Sequence, residues 1–174
     1  MTAGSVRRWM LLALLSCTGA AGAAVAEVAA GKIADPVQAR SDYVENCGGC
    51  HGISGDSAPA LLPVLRDRVG YFLCDPAARA YLIQLPNVAH SRITDNAELA
   101  DLLNYVVFTL GGPSTPPSSP PFTEAEVSRE RPHALSEVSL KALRVKLVER
   151  VIRACKAPAS LRLLYPASPG GKAG

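Results

Sequence analysis

The chain has 174 residues, 48% of them hydrophobic, enough for one modest core and too few for two large ones. Its formal charge is +3, from 18 Lys and Arg against 15 Asp and Glu. Arg7 and Arg8 fall in an N-terminal segment with the pattern of a removable export signal, and without them the balance is 16 against 15. A nearly neutral chain with no concentrated basic stretch excludes a nucleic-acid partner on electrostatic grounds.

Residues 1–26 carry a basic start, then "WMLLALLSCTGAAGAAVA", an apolar run grading into small residues and ending on Ala24-Val25-Ala26. This is a signal-peptide pattern, with cleavage expected before Glu27. The apolar run is short of the roughly 20 residues that span a membrane, so no span is expected after cleavage. Leu14-Leu15-Ser16-Cys17 imitates a lipoprotein box only weakly. The expected location is the periplasm, with membrane association as the alternative, in a compartment where disulfides persist.

Residues 27–36 read as an extended leader. "PVQARSDYVENC" places Pro36 at a first helical turn and Val37, Tyr43 and Val44 among polar residues, which predicts a short helix running into a cysteine pair. "GISGDSAPALLPVL" reads as loop. Asp75-Pro76 predicts a cap and first turn for a helix to Leu85, where Pro86 stops it. "PNVAHSRI" reads as loop. "TDNAELADLLNYVVFTLGG" predicts the best helix, capped by Thr94 and closed by Gly111 and Gly112. Residues 113–121 are a Pro-rich linker or strap. Thr123 and Glu126 form a capping-box pattern. A last helix is expected from Ser136 to Cys155, with Leu140, Leu143, Leu147 and Val151 on one face. Lys141, Lys146, Arg150 and Arg153 lie on the other, solvated face. The tail, 156–174, is expected to be loose, and no β alternation longer than four residues occurs.

The chemistry concentrates in "NCGGCHG", residues 46–52. A structural zinc site would want four ligands, and a second cysteine pair is missing. A thioredoxin-like dithiol expects a strand before the first Cys and a helix starting at it, whereas here a helix leads in. C-x-x-C-H also suits covalent heme attachment: Cys47 and Cys50 add to the two vinyl groups and His51 approaches the iron.

On Tyr43, Cys47-Gly48-Gly49-Cys50-His51-Gly52, a following Pro-x-Leu (Pro59 or Pro63) and the late "AELADLLNYVV" helix, the chain resembles the small class I bacterial cytochromes c over roughly residues 35–112. The resemblance implies an all-α class I cytochrome c fold for residues 27–112 with one covalent heme c and its iron. Residues 122–155 are more than such a core needs and are expected as a helical extension packed on it. The implied role is electron transfer between redox proteins, a donor dehydrogenase and an acceptor oxidase or cytochrome, and not an enzyme's. It further implies that a proline carbonyl, preferably Pro63, orients His51.

The family's methionine ligand has no counterpart, since the only methionines are Met1 and Met10. His90 is the expected metal ligand opposite His51, with His133, a weaker donor (Asn87 or Asn96) or an open site as alternatives. An open or displaceable ligand would make the chain a heme-based enzyme or small-molecule sensor. Were Cys47 and Cys50 both consumed by heme, Cys74 and Cys155 would remain, and a disulfide between them is expected.

Overall fold

The computed structural model describes residues 31–57 and 62–163, and the signal segment, Pro59 and the last eleven residues lie outside them. Every regular element among the described residues is helical, and none is long and apolar enough to cross a membrane. The all-α class expected from the sequence is therefore found.

Helix α1 (Pro36–Asn46) starts at Pro36 as expected, and its cap is Asp35, a residue expected in the extended leader. The Asp35 carboxylate accepts from the N–H groups of Val37 (3.1 Å) and Gln38 (3.0 Å), satisfying donors that a helix start leaves open. Its buried stripe is Ala39 and Tyr43, at i and i+4. Helix α2 (Pro76–Gln84) is capped in the same way by Asp75, whose Oδ1 takes Ala77 N–H and Ala78 N–H, both at 3.0 Å. Its second oxygen pairs with Arg150 at 2.8 Å. Arg150 is thus tied to the fold, although the sequence places it on a solvated face.

Helix α3 (Asn96–Asn104) is the centre of the core, with Leu99, Leu102 and Leu103 buried. Its cap is Asp95, not Thr94: the Asp95 carboxylate accepts from Ala97 N–H (2.7 Å) and Glu98 N–H (3.1 Å). The helix also does not run straight to Gly111. Residues Tyr105–Leu110 form a π-helical turn, and Gly111 N–H reaches back to Val106 O at 2.9 Å. That extra residue frees the Val107 carbonyl from its ordinary helical partner, and the Thr115 hydroxyl bonds it instead.

The strap that follows is held by side chains throughout. Gly70 N–H donates to Ser114 Oγ at 3.0 Å, and Lys32 Nζ to Ser119 O at 2.5 Å. Asn104 exchanges two bonds with the Phe122 backbone, at 2.7 and 3.0 Å. Helix α4 (Glu124–Glu130) then begins on the Thr123–Glu126 cap at 3.2 Å and packs on α3.

Helix α5 (Glu137–Cys155) buries Leu147, Val148 and Val151 against the 3-10 segment Val69–Cys74. The expected Cys74–Cys155 disulfide is formed, with Cα atoms 5.8 Å apart across 81 residues. Cross-linking a loop of that length removes about 4.5 kcal/mol of unfolded-chain entropy in the chain-entropy treatment. Residues 86–93 depart from the loop expected: Pro86–Ala89 is a helical turn. The Arg131 guanidinium gathers the carbonyls of Ala89 (2.8 Å), Ser91 (3.2 Å) and Ile93 (2.8 Å).

Candidate functional site

Helix α1 does not simply end at the cysteine pair. Cys47 N–H still donates to Tyr43 O at 2.8 Å, closing α1. The Cys47 carbonyl then accepts from Cys50 N–H (3.1 Å) and His51 N–H (2.9 Å), so Gly48–His51 forms one further helical turn. Gly52, at φ +71°, turns the chain away. The buried Tyr43 hydroxyl fixes that turn by donating to Gly52 O at 2.7 Å.

The two thiols sit in different environments. Cys47 is half-buried, packed against the core, and Cys50 is exposed. A Cβ on Gly49 would meet no atom within 4 Å, so the surface beside Cys50 is open. Burial pushes the Cys47 thiol up to about 11, and the charge of Cys50 pushes in the same direction. The two thiols remain unbonded to one another.

His51 is held from the other side. Its Nδ1 lies 3.2 Å from Pro63 O, and because a carbonyl can only accept, Nδ1 carries the hydrogen. Nε2 is thereby left as the acceptor nitrogen. Burial lowers the imidazole's pKa, with the Pro63 contact opposing it, which favours the neutral ring. Sequence reasoning missed Ser57, whose hydroxyl donates to the same Pro63 oxygen at 2.9 Å and whose N–H takes His51 O at 2.7 Å. The local signal was the Ser54-Gly55-Asp56-Ser57 turn, in which Gly55 and Ser57 both adopt positive φ.

His90 stands elsewhere. It is exposed at the end of the Pro86–Ala89 turn and lines a groove of about 560 Å³ with Glu45, Asn46 and Arg92. Neither His51 nor either cysteine of the pair lines that groove. His133 is exposed on the 3-10 turn Arg131–His133.

Among the described residues no group of three or more His, Cys, Asp or Glu side chains is arranged to hold a metal ion. His51 and His90 are therefore not brought into one ligand set with the cysteines. Among the described residues the one disulfide joins Cys74 and Cys155, and the residues around Cys47 and Cys50 do not make a heme-ligating arrangement.

This geometry corrects the expectation of a covalent heme c and its iron, and with it the mono-heme electron carrier and the heme-based enzyme or sensor. The class I cytochrome c fold is corrected on the same ground, the all-α class alone being retained. No family model, no curated protein and no solved structure gives a significant match to the chain.

Proposed function

We propose that the chain is a thiol–disulfide exchange protein, in which Cys47 and Cys50 carry a pair of electrons to disulfides of partner redox proteins. The observation that carries this reading is the asymmetry of the pair. One thiol is exposed and the other half-buried on a single helical turn, both free in a chain whose other two described cysteines are bonded.

The Cys50 thiolate attacks one sulfur of the partner's disulfide, forming a mixed disulfide and expelling the partner's other sulfur as a thiolate. Cys47 gives up its proton and attacks Cys50 Sγ, which expels the partner's second thiolate. Two electrons have passed to the partner, whose thiolates take up protons, and Cys47–Cys50 is left as a disulfide. Burial keeps the Cys47 thiol protonated, so the exposed Cys50 is the thiol that attacks first and Cys47 the one that resolves the mixed disulfide.

The role is stoichiometric, not catalytic, and the setting is an exported one. The Cys74–Cys155 bond supports that location, since structural disulfides persist in oxidising compartments. Trapping tests the reading. Cys47→Ser incubated with a model disulfide protein should accumulate a mixed disulfide through Cys50, and Cys50→Ser should not. Equal trapping by both variants, or by neither, overturns the assignment.

A further inference from the structure

A second cavity, of about 410 Å³, lies between the first half of α1 and the first half of α3, away from the cysteine turn. Six carboxylates line it: Asp35, Asp42, Asp95, Glu98, Asp101 and Glu124. None of the six forms an ion pair among the described residues, and no basic side chain lines the cavity.

Five of the six are explained by the fold. Asp35 and Asp95 cap helices. Asp101 accepts from the N–H groups of Ala34 and Asp35, both at 3.0 Å. Glu98 and Glu124 occupy the first turns of α3 and α4, where the helix dipole favours them.

Asp42 is not explained. It lies within α1, is only 5% exposed, and uses Oδ1 to accept from Gln38 Nε2 at 2.7 Å. Its Oδ2 is buried without any hydrogen-bond partner. A carboxylate oxygen taken out of water and given no donor is costly unless a ligand supplies one.

We propose that this cavity binds an alkylammonium chain, with Asp42 Oδ2 accepting from one ammonium group. The chemistry follows from the lining. The acids are distributed over three helices or their caps and do not converge as a metal site, so single metal ions are a poor match and separated positive charges a good one. Ala39, Ala97, Ala100 and Phe122 also line the cavity, apolar residues suited to methylene groups. An ammonium offers three donors and has no acceptor to be repelled by carboxylates. A free polyamine and a lysine side chain of a basic peptide share this chemistry.

Calorimetric titration of the full protein at low ionic strength, with spermidine and separately with a lysine-rich peptide, tests it. Saturable binding of either probe is expected. Asp42→Asn keeps the shape and the Gln38 bond and should weaken binding about tenfold, as losing one charge-assisted bond does. Glu98→Gln should weaken it less, and Glu149→Gln, on α5, should leave it unchanged. Binding of spermidine identifies a small-molecule source, and binding of the peptide alone identifies a partner protein. Absence of saturation with both, indifference to Asp42→Asn in a variant that melts like the parent, or tighter saturable binding of magnesium overturns the proposal. If Asp42→Asn does not fold, an unchanged affinity in Glu98→Gln overturns it equally.

Discussion

Replacing Arg79 by Met should destabilise the fold more than any other single change on its surface. The Arg79 guanidinium takes both oxygens of Glu126, at 2.6 and 2.7 Å, and donates to the carbonyls of Pro120 and Pro121, both at 2.9 Å. It also lies 4.0 Å from the centre of the Phe122 ring. The two side chains are only 13% and 17% exposed, so solvent screens the pair little. Met preserves much of the stem's packing but strands the Glu126 carboxylate. Removing one partner of a buried pair costs about 3–5 kcal/mol, and the residual exposure places this one near the lower end. For a domain of this size about 3 kcal/mol lowers Tm by about 10 °C. Chemical denaturation followed by circular dichroism measures it. Arg79→Lys should recover less than half, because an ammonium cannot form the two-pronged contact. Replacing Glu126 by Leu together with Arg79 by Met should recover most of the loss, since the stranded charge is then gone. A cost below about 1 kcal/mol for Arg79→Met, or a double variant as unstable as the two single losses added, would refute the reasoning.

Three further outcomes are expected. Gly70→Ala should destabilise strongly, because its Cβ would come within 2.6 Å of Thr115 N and 2.7 Å of Ser114 Oγ, at the seam between the strap and the 3-10 segment; thermal melts will show whether the strap yields instead. Iodoacetamide at pH 8 should modify Cys50 well before Cys47, since a thiol near 11 is only about one part in a thousand thiolate there; peptide mapping that finds Cys47 modified first contradicts the buried, unfavourable site. Cys74→Ser with Cys155→Ser should lower unfolding stability by about 2–5 kcal/mol and leave trapping at Cys50 intact; loss of the trap would tie the two cysteine pairs together.

The features legible in the sequence were those whose partners lie a few residues apart. Pro36 at a first turn, the Asp75-Pro76 start and the Thr123 cap each lie within one turn of a helix start, and each occurs where the pattern predicts it. Asp95 outcompeted Thr94 for the α3 cap one residue on, a shift that capping preference alone does not resolve. The forks of Arg79 and Arg131 reach across some 35 to 47 residues, and nothing local marks either arginine as structural. The π turn at Tyr105–Leu110 is equally non-local: Phe122 bonds Asn104 at its start and Thr115 bonds the Val107 carbonyl it frees. The same distinction governs the cysteine site. "NCGGCHG" names three reactive groups on one turn, and the heme expectation added a ligand, His90, from a loop forty residues later. The structure leaves His90 in a separate groove with Glu45 and Arg92.

The most direct test of the proposed role is the mass of the peptide holding Cys47 and Cys50, isolated from native protein equilibrated in graded glutathione redox buffers. The account predicts a reversible change of two hydrogen atoms between dithiol and disulfide across those buffers. A cysteine pair that never interconverts, or that carries a reductant-stable adduct on both sulfurs such as a thioether-linked heme, would contradict it.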